Sequence, residues 1–541
     1  MNWNIIESHN YKHYMQQFSI HSLLAKVIDS KGFDEEDVQS LLSPRLIYHD
    51  FSLFLEGEMA LERIKEAIEQ NENICIYGDY DCDGILATAI LVQAFSMLGK
   101  KVGYHIPHRS DDGYGLNKQK VQEIYDKGYK LIITVDNGIR SHEAIELANE
   151  LGVDVIVSDH HDYDELPDAF AIIHPKMSPE YPFKEISGGF IAYKLASALL
   201  GKHDKYLYCL AAITTISDMM PLLDENRSLV KRAFQFMNQE HYLQLDLLLG
   251  ENRVYDMTSI GFIIAPKINS FGRLPHFIHP NHLVKYFLKN CDRDFILKMS
   301  NAAMRINNDR RSLTNKQYKN VLKNNEDAPF LYVYDQDIQE GIVGLVAGKY
   351  TSQYRKPSFV MTYDQVRQCY RGSARSIKEL PLNKILNTLS DDLLQYGGHA
   401  LAGGFSVAKE DVTQFKEDIA RYIEKYGQDI EERKEALEVS LDDISLSAVK
   451  QLSILEPQGQ GNEETTFMLK HVPVSQTRLL GQGQHLRFDL QLPHCNMQAL
   501  YFHCPCIDEF KNKKEVQIYG KLKINKYLNT ESINMILEDI K

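Results

Sequence analysis

The sequence predicts an α/β protein: a parallel-sheet domain joined by helices to a second α/β domain, followed by a β-barrel. Three observations carry this. From Ile74 onward, short apolar strand-forming runs alternate with helical stretches, the pattern of right-handed βαβ units whose parallel sheet is covered on both faces. Between 326 and 428 a second alternation ends in the glycine-rich string YGGHALAGGFSV. Beyond 447, segments such as HLRFDLQL, MQALYF and VQIYGKLKINKYL alternate apolar and polar residues, which reads as a small antiparallel barrel.

At 541 residues the chain exceeds one core, and about 150 residues per domain suggests three or four units. Apolar content of 44% and charged content of 25% are those of an ordinary globular protein. No stretch approaches a membrane span, and MNWNIIESHNYKHYM has neither a basic n-region nor an apolar h-region, so a cytoplasmic location without membrane contact is expected. Eight scattered cysteines, with Cys75 and Cys82 inside apolar elements, fit free thiols in a reducing compartment. The net charge of -14 by itself weighs against a nucleic-acid partner. A cluster of metal-binding carboxylates inflates that acidic count, however, and a positive groove is compatible with a negative total.

Residues 1–70 read as a helical lead-in: HSLLAKVIDSKGF, EEDVQSLLSP with a Pro stop, then GEMALERIKEAIEQNEN. A parallel-sheet domain over 71–225 follows, organised around ICIYGDYDCDGILATAILVQAFSML from Ile74 to Leu98. A strand runs into Asp79, Asp81 and Asp83, then Gly84, then an apolar helix lasting until Gly99. Ligands collect beyond the carboxyl ends of parallel strands. Carboxylates this close repel one another, and a divalent cation is the usual remedy. The plainer alternatives are a solvated acidic turn or a calcium loop of the D-x-D-x-D-G kind. Such a loop needs a glutamate at its twelfth position, where Ile90 stands.

The alternation continues through KVGYHIP, LNKQKVQEIYDKGY, KLIITVDNG, SHEAIELANELG and VDVIVSDHH. One strand ends in Asp136, Asn137 and Gly138, another in Ser158, Asp159, His160 and His161, so three strands deliver carboxylate or imidazole to one sheet edge. An isolated histidine pair would read as structural; the preceding strand changes that. Asp218, after YLYCLAAITTIS, taken alone reads as a helix-end residue more readily than a ligand. Aspartates with one or two histidines suit Mn²⁺ or Mg²⁺ better than a closed zinc site. Five or six such ligands exceed the need of one ion, and two ions about 3.5–4 Å apart suit phosphate-ester hydrolysis.

DYDCDG from Asp79, VDNG from Val135, SDHH from Ser158 and SDMMPLLDENR from Ser217 resemble the four motifs of the DHH phosphoesterase superfamily. From about residue 70 to the end the chain is similar to its RecJ branch, the single-strand-specific 5′→3′ exonucleases. Many DHH proteins begin the first motif with histidine; Asp79 stands here, as in RecJ-type members. The resemblance implies Asp79, Asp81, Asp83, Asp136, His160 and Asp218 as ligands of two Mn²⁺ or Mg²⁺ ions. It implies catalytic roles for His161, Asp136 and Asp159, with His161 near the phosphate and Asp159 orienting a neighbour.

In the loop HIPHRSDDGYGLN, Arg109 can grip a phosphate bidentately, and the resemblance places it in a 5′-phosphate pocket. Residues 226–325 read as a helical connection. Its basic stretch RDFILKMSNAAMRINNDRRSLTNKQYKNVLKNN is either a face for a DNA backbone or a solvated helix face. Within IAPKINSFGRL, Asn269, Gly272 and Arg273 resemble a family segment at a domain junction, from which Arg273 is expected to reach the substrate backbone.

Over 326–428, APFLYVYD is a strand, GIVGLVAGKYTSQYRK a helix, and PSFVMTY and CYRGSAR strands. YGGHALAGGFSV, read as a turn entering a strand, resembles the DHHA1 signature, and its glycines expose amides to anions. The resemblance implies that Ser373 and Arg375 hold the 5′ end and that His399 faces the cleft between the α/β domains.

GQDIEERKEALEVSLDDISL reads as a helix end and linker. Residues 447–541, introduced by EPQGQGN, resemble the OB-fold of RecJ proteins. OB-folds bind single strands with aromatics and a positive groove, and Phe488, Tyr501, Phe502 and Lys521 are candidates. The group His494, Cys495, His503, Cys504 and Cys506 lacks the usual C-x₂-C spacing, which argues against zinc.

The expectation is a metal-dependent exonuclease on single-stranded DNA in repair and recombination. Family membership suggests single-strand-binding protein and a repair helicase as partners. The alternatives are a phosphodiesterase for short oligonucleotides or cyclic dinucleotides, which the barrel argues against, and a non-catalytic scaffold, which the intact motifs argue against.

Overall fold

The structure, a computed structural model, describes residues 2–43, 45–108, 115–251, 254–322, 329–427, 433–505, 507–527 and 530–541. Two compact units form: one from Met1–Ile47, Pro221–Arg227 and Glu431–Lys541, the other from Tyr48–Met220 and Ser228–Ile430. The expected helical lead-in is divided between them. It also starts with a strand, β1 (Asn2–Ile6), before helices α1 (Tyr11–Phe18), α2 (Ser22–Ser30) and α3 (Glu35–Leu42).

The larger unit opens with α4 (Gly57–Glu69), then β2 (Ile74–Tyr77), α5 (Cys82–Met97), β3 (Gly103–His105), α6 (Lys118–Asp126), β4 (Leu131–Val135), α7 (His142–Glu150), β5 (Asp154–Ser158) and β6 (Ala171–Ile173). Helices α8 (Gly188–Leu200) and α9 (Lys205–Ser217) complete this part. The sheet order is β3-β2-β4-β5-β6, every pair parallel. One face packs Tyr77, Ile132, Val155 and Val157 against Val121 and Ile124 of α6 and Ala144 and Ile145 of α7. On the other side α5 packs on α8 and α9 and is buried from Cys82 to Phe95. Burial on both faces is why β2, β4 and β5 read as continuous apolar runs. The chain leaves β2 for a neighbour on one side and later returns to place β4 on the other. The crevice where connections diverge therefore lies between the ends of β2 and β4.

Helices Leu243–Leu249, Ala265–Arg273 and Arg293–Leu322 lead to the second α/β part. There β7 (Leu331–Tyr334), β8 (Ser358–Asp364), β9 (Cys369–Arg375), β10 (Gln395–Gly398) and β11 (Ala402–Ala408) form a sheet ordered β10-β11-β9-β8-β7. Only β7 and β8 are parallel. Helix Val343–Tyr354 covers one face through Val346, Ala347 and Tyr350. Phe415 and Ile419 of helix Val412–Tyr426 meet Phe359, Met361 and Phe405 on the other. The glycine-rich string is more than a turn entering a strand: it is the β10–β11 hairpin, with Gln395 opposite Ser406 and Gly398 opposite Gly403.

In the smaller unit, β12 (Arg433–Glu438), β13 (Phe467–Leu480), β14 (His485–Gln491), β15 (Asn496–Tyr501), β16 (Glu515–Tyr527) and β17 (Thr530–Ile540) follow. Pairings β13-β14-β15-β17-β16, closed by β16 on β13, make a five-stranded barrel. It is not wholly antiparallel, because β15 and β17 run parallel. Alternation marks a half-buried strand and is silent on the direction of its neighbour. The expected linker contains β12, which pairs in parallel with β13 and with β1, so the sheet extends past the barrel to the N-terminal strand. Leu23, Leu24, Val27 and Ile28 of α2 share one core with Phe467, Phe488, Met497 and Ile518 of the barrel. Trp3 of β1 stacks on Tyr519 at 4.6 Å and donates its indole N–H to Asp539 at 2.7 Å. Among the described residues no helix is long and apolar enough to cross a membrane.

The second α/β part meets the helical connection backbone to backbone. A Cβ placed on Gly341 would stand 1.8 Å from the carbonyl oxygen of Arg273, where no flexible side chain can yield. Gly341→Ala is expected to destabilise the larger unit by about 1–3 kcal/mol, read as a lowered midpoint in chemical denaturation.

Candidate metal centre

Three strand ends and one helix end build the centre. After β2 the chain turns through buried Asp79 to Asp81, which caps α5 by accepting the Gly84 N–H at 3.1 Å. Asp83 lies in the first turn of that helix, its two carboxylate oxygens accepting the N–H groups of Gly188 and Gly189 at 2.8 and 2.7 Å. Asp136, just past β4, holds φ at 61°, a left-handed conformation uncommon for a non-glycine residue and a mark of a constrained site. Past β5, His160 sets Nε2 at 3.1 Å from Asp136, 3.6 Å from Asp218 and 3.8 Å from Asp83. Asp218 ends α9, its own N–H donating to Thr214 at 2.9 Å. It is thus both the helix-end residue its local sequence suggests and a member of the cluster.

All six residues expected as ligands come together. Asp79, Asp81 and Asp136 offer ligand atoms within 4.8 Å of one another, and so do Asp83, His160 and Asp218. Asp136 and His160 join the two sets, and with His161 they make a third. The donors fit a hard or borderline divalent cation: carboxylate oxygens crowded in a buried site, with one neutral imidazole. Among the described residues the cysteine–histidine group of the barrel gathers no such set; Cys495 donates to the Ile444 carbonyl, and Cys506 lies outside the described residues.

Electrostatics match this chemistry. Burial, then repulsion by Asp81, pushes Asp83 up to about 7 despite its two amide hydrogen bonds. Burial followed by repulsion from Asp83 raises Asp136 and Asp218 well above the carboxylate range. Burial, then the charge on His161, lowers His160 to about 3, leaving a neutral ring with a lone pair to offer. Burial opposes charge on His161 too, but the hydrogen bond and charge of Asp159 prevail and raise it to about 9.

Asp159 is turned inward. It accepts from His160 N–H (2.7 Å), His161 N–H (3.2 Å), His161 Nδ1 (2.7 Å) and Ile139 N–H (3.0 Å). Those bonds hold it ionised against its burial.

The residues expected to hold substrate are distributed differently. Arg109 lies outside the described residues. Arg273 ends helix Ala265–Arg273 and reaches the Gly341 carbonyl at 3.4 Å, at the junction and outside the carboxylate cluster. On β9, Arg375 donates to Ser373 Oγ at 2.8 Å, beside Gly344 at the start of helix Val343–Tyr354. His399, between β10 and β11, is largely exposed with Nδ1 3.9 Å from Asp162, one residue past His161.

Three further supports surround these residues; Asn269 was marked by its resemblance to a family segment, whereas His174 and the Gly188–Gly189 pair carried no sequence signal strong enough to single them out. Buried His174 bonds through Nε2 to the His161 carbonyl (2.9 Å) and accepts the Lys176 N–H at Nδ1 (3.1 Å), fixing the loop that carries the histidines. Asn269 accepts the Cys82 N–H at 2.7 Å, bracing the aspartate loop from the helical connection. The Gly188–Gly189 pair acts through backbone amides; a serine followed by two glycines before an apolar run was the available hint.

The sequence pattern of the DHH family N-terminal domain matches residues 73–216, that of the DHHA1 domain 327–425, and that of the RecJ OB domain 436–539. The single-stranded-DNA-specific exonuclease RecJ of Bacillus subtilis is 31% identical over 563 residues, spanning 100% of this chain and 70% of that protein. The chain belongs to the RecJ family. A second RecJ, from Thermus thermophilus, is 31% identical over 436 residues, covering 79% of this chain and 63% of that protein. A crystal structure of Thermus thermophilus RecJ in complex with Mn²⁺ superposes with a TM-score of 0.84 at 26% identity, covering 100% of this chain and 79% of that one. This RecJ-family fold, with its DHH, DHHA1 and barrel parts, is thus shared with an experimentally determined relative.

The raised carboxyls have a consequence for stability. Asp83, at about 7 when folded and 3.8 ordinarily, retains a proton that the unfolded chain has released, so its contribution is lost as pH rises through 7. His161 behaves alike between 6.5 and 9. His160 has the opposite sign, but its contribution is complete above 6.5. The metal-free protein is expected to show a thermal midpoint that falls from pH 6.5 to 9. Added Mn²⁺ should raise the midpoint more at about pH 8 than at about pH 6, because cation binding displaces protons; thermal scans in chelator and in Mn²⁺ check both.

Proposed function

We propose that this RecJ-family protein is a Mn²⁺- or Mg²⁺-dependent exonuclease that releases mononucleotides from the 5′ end of single-stranded DNA. The observation that carries the reading is the pair of adjacent ligand sets linked through Asp136 and His160. Asp79, Asp81 and Asp136 would hold one cation; Asp83, His160 and Asp218, sharing Asp136, would hold the other. Bound there, two divalent ions lower the pKa of a water and offset charge on a scissile phosphate.

The remaining roles belong to the chain's own groups. Asp159 fixes Nδ1 of His161 and keeps the ring cationic, so Nε2 is the atom that donates to a phosphate oxygen as charge develops. Ser373 and Arg375, beside the start of helix Val343–Tyr354, would bind the terminal 5′-phosphate, joined by Arg109 through the family resemblance. Arg273 at the junction and His399 beside the Asp162 loop would line the path of the strand between the two α/β parts. The barrel would bind single strands by its own surface. Among the described residues seven cysteines stand outside any disulfide, which is compatible with work in a reducing cytoplasm.

Digestion of a 5′-labelled and a 3′-labelled strand, each with and without Mn²⁺, tests activity, polarity and metal need together. Labelled mononucleotide should appear first from the 5′ label and only with metal; preference for a trinucleotide over a long strand would replace this reading with an oligonucleotide phosphodiesterase. Asp136→Asn should lower the rate at least about 100-fold. His161→Ala should lower kcat about 10²–10³-fold with the cations still bound, which steady-state kinetics and metal titration separate.

A further inference from the structure

Behind the carboxylates lies a buried hydroxyl network that the proposed chemistry does not use. Ser187, Thr214 and Thr215 are fully buried. Ser187 caps α8, its Oγ accepting the Phe190 N–H at 3.3 Å, and lies 2.9 Å from Thr214 Oγ1 and 3.4 Å from Thr215 Oγ1. Thr214 and Thr215 donate their own hydrogens to the Ala211 carbonyl at 2.7 and 3.0 Å. Each hydroxyl carries one hydrogen, so the Ser187 proton points to Thr214 Oγ1, and the network has one direction.

The two ends of this network reach two different carboxylates. At the α8 end, Gly188 and Gly189 give both N–H groups to Asp83, with the positive end of the helix dipole behind them. At the α9 end, the Thr214 carbonyl accepts the Asp218 N–H at 2.9 Å. The glycine pair is wedged between the same parts: a Cβ on Gly189 would stand 2.4 Å from Thr214 Cγ2, and one on Gly188 would stand 2.6 Å from Asp136 Cβ. Asp83 stands on α5 but is gripped by the amides of α8, while Asp218 ends α9, so the Ser187 bridge ties the amides that hold one carboxylate to the helix that carries the other; Cys82 of α5 also bonds to Ser217 of α9.

We propose that Thr214, acting through Ser187, is a positioning residue that fixes the separation of Asp83 and Asp218 and thereby sets how tightly a divalent cation is held beside His160. The proposal rests on the reading of this cluster as a divalent-metal centre. Two carboxylates that repel each other stay at bonding distance from a common ion only if their supports cannot spread, and a buried hydroxyl bridge between α8 and α9 supplies that restraint. Removing the Thr214 hydroxyl leaves the Ser187 proton only the longer contact to Thr215 Oγ1 at 3.4 Å in a dry core, which favours rotation of the α8 cap and of the amides on Asp83.

Thr214→Val keeps the shape of the side chain and removes the bridge. Titration of metal-free protein with Mn²⁺, followed by electron paramagnetic resonance of the free ion, should show binding weakened about 10–100-fold, with the circular dichroism spectrum unchanged. Thr214→Ser should restore it, and Ser187→Ala should reproduce the loss from the other side of the bridge if the valine variant does not fold. Wild-type Mn²⁺ affinity in Thr214→Val or Ser187→Ala, or a loss that Thr214→Ser leaves in place, overturns the proposal. The titration needs no nuclease activity: wild-type protein that binds Mn²⁺ but degrades no strand would fail the exonuclease reading and leave this test standing.

Discussion

Mutual repulsion among buried carboxylates is the constraint around which the larger unit is built. Asp79, Asp83 and Asp136 are almost completely removed from water, and Asp83 and Asp79 both raise the cost of charge on Asp136. A fold tolerates this only where backbone dipoles, a neutral imidazole and a cation share the load. The parallel sheet supplies the geometry, since the crevice between the ends of β2 and β4 opens where connections diverge, and β5 adds its histidines from the next position.

Around that centre, support comes in layers that differ in kind. Asp159 spends its charge on the histidine loop, His174 braces the same loop from below, and Asn269 steadies the aspartate loop from the helical connection. The two neighbouring histidines end in opposite states although burial depresses both. What separates them is the Asp159 carboxylate, 2.7 Å from the ring of His161, together with the charge that His161 then turns on His160. A neutral ring to offer a lone pair and a cationic ring to offer a proton thus arise from consecutive residues.

Much of this was legible in the sequence, because chemistry at strand ends is local. Apolar runs followed by DYDCDG, VDNG and SDHH marked both the sheet and the cluster, and the structure brings all six expected ligands into two sets. Asp218 was ambiguous because a helix-end aspartate looks the same whether or not its carboxylate meets others. What escaped was either short, distant or made of backbone. Strand β6 has three residues, β1 finds its partner β12 across more than four hundred positions, and β12 hides in an acidic run in which Ala436 and Leu437 are deeply buried. The parallel β15–β17 pair could not be told from an antiparallel one by periodicity, and the amides of Gly188 and Gly189 have no side chain to announce them.

The stacking of Trp3 on Tyr519 has a practical side. It is the sole tryptophan of the chain, so red-edge ultraviolet excitation addresses a single indole, lodged where the first strand joins the barrel's extended sheet. Its emission colour and lifetime therefore constitute a built-in optical gauge of that seam, obtained without attaching any dye.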